Sequence, residues 1–177
     1  MTGLGNEAIT VSDTNITSAQ ANTIDAYTTG AVTATISTTA IADLDDLTGT
    51  GNAYTITVAD SSVTAAALNT VNAATTVNVT ATAVTAIGGT AAQLATTYGG
   101  GITGLGNETV TVSDADVTAA HLNTINAGTS VSVVATAVTN ITGSKTDLAT
   151  TYGGGMTGLG NETITVSDAN ITSTEAN

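Results

Sequence analysis

The stretch Met1–Asn22 (MTGLGNEAITVSDTNITSAQAN) returns as Met156–Asn177 (MTGLGNETITVSDANITSTEAN), with changes only at Ala8/Thr163, Thr14/Ala169, Ala19/Thr174 and Gln20/Glu175. Related copies begin near Asn52 and at Ile102. Repetition of this kind constrains the fold more than any local motif. A unit so short cannot bury its own apolar face, and only stacked neighbours can cover it. The chain divides into repeats 1–51, 52–101, 102–155 and a partial 156–177, read as one continuous architecture over 1–177. Met1 occupies the same repeat column as Ile102 and Met156, and Asn177 falls inside a repeat, so the chain reads as a window onto a longer protein.

The building blocks are small. Phe, Trp, Pro and Cys are absent, and the only aromatic residues are 4 tyrosines. A globular core of this length normally draws on large aromatics. Thin layers of Val, Ile, Leu and Ala suit a narrow interior instead. Fourteen acids stand against one base, Lys145, for a net charge of −13. That balance argues against nucleic-acid binding, which needs Lys and Arg to displace phosphate counterions, and against docking on an anionic membrane. Cations are the small partners it would attract. The lack of cysteine removes disulfides and thiolate metal sites. No stretch has the length and apolarity of a membrane span, so no membrane insertion is expected. A single basic residue leaves trypsin-like proteases almost nothing to cut, which fits an extracellular or cell-surface setting.

Within Ile102–Gly155, Val110, Val112 and Val117 match Val131, Val133 and Val138, each 21 residues on. Ile56, Val58 and Val63 match Val77, Val79 and Val84 in the same way. Each coil opens with alternation, as in Ile9-Thr10-Val11 and Val110-Thr111-Val112, the mark of a half-buried strand. A helix-start pattern follows at Thr17, Thr64, Thr90, Thr118, Ser144 and Thr172. Thr17/Gln20, Thr90/Gln93 and Thr172/Glu175 have capping-box spacing. Apolar residues such as Leu122 and Ile125 then share a helical face. The expected fold is a mainly β repeat solenoid: a parallel sheet of stacked coils of about 21–33 residues, with helical turns of one or two turns along another side. An all-β right-handed β-helix is the alternative. Asn22, Asn69 and Asn123 are expected to stack as side-chain ladders.

Two acidic columns are the candidate metal ligands. One is the glutamate of Gly-Leu-Gly-Asn-Glu, at Glu7, Glu108 and Glu162. The other follows the strands, at Asp13, Asp60, Asp114 with Asp116, and Asp168. Together they could hold Ca²⁺, which takes six to eight oxygen ligands. They could equally serve as glycine turns and backbone caps. Tyr98-Gly99-Gly100-Gly101 lacks the Lys-Ser/Thr of a phosphate loop. His121 is the only histidine and replaces Ala67 and Gln20 of sister coils, so zinc and Ser-His-Asp readings are weak. Asp43, Asp45 and Asp46 form the densest acidic cluster, the pairing a glycosidase would use, but without aromatic or basic sugar contacts. Outward threonines at Thr55/Thr57, Thr109/Thr111 and Thr163/Thr165 offer an irregular version of an ice-binding array.

Gly104-Leu105-Gly106-Asn107-Glu108 resembles the glycine-rich calcium nonapeptide of secreted RTX proteins, with Glu for the usual Asp and one copy per long repeat. Runs such as VTVSDADVTAAHLNTI followed by TAVTNITGSKTDLATTY resemble tandem repeats of very long secreted proteins from marine bacteria and cyanobacteria. The resemblance implies an extracellular structural role as surface fibre, filament or adhesin stalk. It implies no catalytic residues and allows head-to-tail or lateral self-association. A calcium-dependent binding module is the alternative, and an ice-binding solenoid the lesser one.

Overall fold

The computed structural model describes residues 5–170. Three units of parallel strands and helices follow one another, the first and third of them βαβαβ. The first is β1 (Ile9–Thr10), α1 (Ser18–Asp25), β2 (Val32–Thr35), α2 (Ile41–Leu44) and β3 (Ala53–Thr55). The second is β4 (Ser62–Thr64), α3 (Ala65–Ala73), β5 (Val79–Thr80), β6 (Ala86–Gly89), α4 (Ala91–Tyr98), β7 (Ile102–Thr103) and β8 (Thr109–Val112). The third is β9 (Asp116–Thr118), α5 (Ala119–Gly128), β10 (Asn140–Gly143), α6 (Lys145–Gly153) and β11 (Thr163–Val166). Each unit builds a three-stranded sheet, in the orders β1-β2-β3, β4-β6-β8 and β9-β10-β11, and β5 pairs with β7. All of these pairings are parallel. Parallel neighbours need a crossover, and the helices supply it.

The mainly β solenoid expected from the sequence, and its all-β β-helix alternative, are therefore corrected. The protein is mixed α/β, 29% helical and 27% strand, with several short parallel sheets and neither a solenoid nor a closed barrel. The cause is local. Strands stop after two to four residues, and several of the stops hand over to a helix: Thr64 and Thr118 end β4 and β9, and Thr90 and Ser144 follow β6 and β10, each capping the helix that comes next. Thr17, Thr64, Thr90, Thr118 and Ser144 each accept from the amide three residues on. Thr17/Gln20 and Thr90/Gln93 complete capping boxes, while Thr172/Glu175 lies outside the described residues. Runs of Ala and Leu carry these helices to 8–10 residues, beyond the one or two turns expected. Leu68, Val71, Leu94, Leu122 and Ile125 on their inner faces are fully buried. Each such side chain contributes about 1.5–3 kcal/mol.

The strand register also differs from the 21-residue match. Thr111 bridges Val134 and Thr57 bridges Thr80, both 23 residues on. Val110 and Val112 thus stack on Val133 and Ala135, which are buried, whereas Val131 and Val77 face outward at 38% exposure. A threonine sets the shift. Thr75 Oγ1 donates to the Tyr54 carbonyl (2.8 Å) and accepts from the Tyr54 amide (3.0 Å) and the Val77 amide (3.1 Å). Thr129 repeats this with the Glu108 carbonyl and the Val131 amide. The hydroxyl takes the place of a ladder partner, so regular pairing begins two residues later than the valines suggest.

The asparagine columns bridge helices rather than form ladders. Asn22, Asn69 and Asn123 donate to the carbonyls of Asp46, Gln93 and Asp147 at 2.9, 2.9 and 3.0 Å. Asn69 and Asn123 accept in return from the buried hydroxyls of Thr97 (2.9 Å) and Thr151 (2.8 Å). This bolts α3 to α4 and α5 to α6, satisfying polar groups that would be costly to bury alone.

Candidate functional site

The Gly-Leu-Gly-Asn-Glu turn is built by close approach. Gly104 and Gly158 adopt φ of +89° and +90°. A Cβ on Gly158 would sit 2.7 Å from Thr136 Cα, so only glycine fits there. The turn aims its glutamate back at itself. Glu108 is 1% exposed, and its carboxylate accepts from the amides of Gly106 (2.7 Å) and Asn107 (3.0 Å) and from the Tyr98 hydroxyl. Glu162 repeats the arrangement with the Gly160 amide (2.8 Å to each oxygen) and the Tyr152 hydroxyl (2.9 Å). Burial, reinforced by Glu108, pushes the Tyr98 phenol far above its ordinary value. Burial and Glu162 push Tyr152 up to about 12.

Partial burial works to raise the Glu162 carboxyl, but the amides of Gly160, Glu162 and Asn161 and the Tyr152 hydroxyl outweigh it and hold the group below its usual value. A depressed carboxylate stabilises the fold fully above its unfolded pKa of about 4.3 and loses that contribution as pH falls through the lower folded value. Acid titration followed by NMR should therefore show the Gly160 amide shifting below pH of about 4. Glu162→Gln should abolish that titration.

The second acidic column caps helices of the preceding stretch. Asp60 accepts from the Ile41 amide (2.7 Å), Asp114 from the Ala91 amide (2.8 Å) and Asp168 from the Lys145 amide (2.6 Å). Those amides open α2, α4 and α6, where the helix dipole favours an anion. α4 and α6 also have their own side-chain caps, but the N-cap of α2 is Ala40, with no cap bond. Asp60→Ala should therefore cost about 1 kcal/mol in urea denaturation and speed exchange of the Ile41 amide. Asp114→Ala should cost less.

The metal candidates are thus parcelled out singly. Glu108 and Glu162 close turns, Asp60, Asp114 and Asp168 cap helices, and Asp116 accepts from the Asn140 side chain. Glu7 and Asp13 are exposed, and among the described residues no donor reaches their carboxylates. Among the described residues, no group of three or more His, Cys, Asp or Glu could hold a metal ion. Asp114, Asp116 and His121 line one shallow groove of about 340 Å³. Asp43 and Asp46, but not Asp45, line another of about 440 Å³ beside α1. The outward threonine rows are broken: Thr109 and Thr111 pair with Ala86 and Gly88, and Thr163 with Asn140.

Sequence reasoning placed Tyr98 and Tyr152 as packed residues of long turns but missed their pairing with the glutamates. Tyr98 precedes Glu108 by ten residues, as Tyr152 precedes Glu162. In the preceding copy the two positions are Leu44 and Tyr54, both buried. That paired change was the available signal. The Tyr54 hydroxyl is a buried polar atom without a hydrogen-bond partner among the described residues. Tyr54→Phe should hence be neutral or stabilising by about 1 kcal/mol, read from the denaturation midpoint.

Among the described residues no helix is long and apolar enough to cross a membrane. No family model, no curated protein and no solved structure matches this chain.

Proposed function

We propose that the chain is an extracellular structural repeat segment, a spacer in a surface fibre or adhesin stalk, without catalysis. The observation that carries this reading is the destination of its acids. Asp60, Asp114 and Asp168 each fasten one stretch to the one before it, and Glu108 and Glu162 lock the turns between helix and strand. Side chains that could do chemistry serve cohesion between neighbours, as repeat architectures require. The near-absence of basic residues, with Lys145 alone, suits survival among proteases. The acidic surface keeps such a segment soluble.

The test is small-angle scattering of this chain beside a version with residues 102–155 duplicated in tandem. A spacer gains length in a fixed step at constant cross-section. A particle that grows in cross-section instead would overturn the reading.

A further inference from the structure

Two sets of asparagines differ in where their side-chain amides go. Asn22, Asn69 and Asn123 spend theirs on the carbonyls of Asp46, Gln93 and Asp147, and Asn52 spends its own on Asp25. None of these four has serine or threonine two residues on. The second set does: Asn15-Ile16-Thr17, Asn78-Val79-Thr80, Asn107-Glu108-Thr109, Asn140-Ile141-Thr142 and Asn161-Glu162-Thr163, each with its asparagine exposed. A sixth, Asn170-Ile171-Thr172, runs past the described residues. Asn-x-Ser/Thr is the acceptor triplet for N-linked sugar when x is not proline, and this chain holds no proline.

The fold presents these triplets in one way. The middle residue faces inward: Ile16, Val79, Glu108 and Ile141 are at most 5% exposed. The asparagine and threonine on either side turn outward together. Two of the triplets are tied up, since the Thr17 hydroxyl caps α1 with Gln20 and the Asn140 amide donates to Asp116. At Asn78 and Asn107, nothing among the described residues accepts from the side-chain amide, and nothing holds the Thr80 or Thr109 hydroxyl. The Asn107 Oδ1 accepts from the Ser130 hydroxyl (3.0 Å), which leaves its Nδ2 to solvent. The apolar surface agrees. Val77 and Val131 are each 38% exposed. Val77 adjoins Asn78, and Val131 adjoins the Ser130 that bonds to Asn107. A sugar on either asparagine would lie over a valine that the fold leaves in water.

We propose that Asn78 and Asn107, with Asn161 as the next copy of Asn107, are acceptors for N-linked sugar added by a transferase of the cell that exports the chain. The proposal rests on the extracellular reading above and deepens it. The donor is a sugar activated as a glycosyl diphosphate. The asparagine Nδ2 attacks the anomeric carbon and forms the C–N bond. The bond from that carbon to the diphosphate oxygen breaks, the diphosphate leaves with the electron pair, and Nδ2 gives one proton to a base of the transferase.

Electron-transfer tandem mass spectrometry tests it on the chain purified from the cells that make it. Sugar mass should localise to Asn78 and Asn107 and be missing from Asn22, Asn52, Asn69 and Asn123. Thr80→Val keeps the side-chain shape without the hydroxyl and should lose the sugar at Asn78 alone, while Thr80→Ser keeps it. Circular dichroism checks folding, and Thr109→Val, read at Asn107, replaces a Thr80→Val protein that has melted. A sugar at Asn78 that survives Thr80→Val in the folded protein overturns the proposal. Bare Asn78 and Asn107 overturn it wherever the chain is found, and a bare chain recovered from the cell exterior leaves the spacer reading standing. A chain kept inside the cells yet carrying the sugar upholds the modification and overturns the extracellular placement.

Discussion

Glu108→Ala should lower the unfolding free energy by about 3 kcal/mol, because it strips a buried acceptor from three donors at once. The Gly106 and Asn107 amides and the Tyr98 hydroxyl all point at that carboxylate, and Glu108 is 1% exposed. Tyr98→Phe should cost less, about 1.5 kcal/mol, since the two amides remain bound. The informative variant is the swap. Leu44 and Tyr54 stand where Tyr98 and Glu108 stand in the next copy, and both are buried. The double change Tyr98→Leu with Glu108→Tyr imports that pairing whole. Its loss should fall short of the sum of the single losses by about 1–2 kcal/mol, the sign of residues that act as a pair. Urea denaturation of the four proteins measures it, and strict additivity would mean that the turn does not depend on the pairing.

Asn52→Ala should cost about 2–3 kcal/mol through an amide rather than a cavity. Asn52 is 1% exposed. Its Oδ1 accepts from the Val32 amide at 2.7 Å, and its Nδ2 donates to Asp25 Oδ1 at 2.8 Å. One side chain thereby ties β2, the end of α1 and the entry to β3. With Asn52 truncated, the Val32 amide loses its acceptor beneath a side chain of zero exposure. Hydrogen exchange at Val32 should accelerate well beyond that of its neighbours. Asp25→Ala, which leaves the Val32 bond intact, should move exchange there little.

The sequence was most readable where chemistry is local. A threonine followed three residues on by glutamine announces a helix start, and Thr17 and Thr90 obey. What it concealed lies between stretches. Matching valine to valine put Val131 beside Val110, but the Thr129 hydroxyl occupies the backbone first and hands the inner position to Val133. Alternating Ile-Thr-Val suggested strands long enough for a continuous sheet, yet the strands run only two to four residues, and β4 and β9 end on the very threonine that caps the next helix. The acids read as a shared ligand set because their columns align. Alignment along the chain says nothing of which amide each oxygen meets, and that partner lies 19–23 residues earlier.

The glycines near the helix starts carry an implication for how such a gene can grow. Asp114 receives the first amide of α4, whereas at the matching junction one stretch later Gly143 lies so close to Ala119 that an added Cβ would stand 2.6 Å from the alanine's. Two kinds of junction alternate, and neither accepts the other's partner. Unequal crossover that gained or lost a single stretch would bring two like edges together and leave one helix start without its acid. Only exchange in whole pairs, the spacing from Tyr98 to Tyr152 or from Glu108 to Glu162, keeps the reading frame of the architecture. Length variants of this gene should therefore differ by multiples of that longer interval.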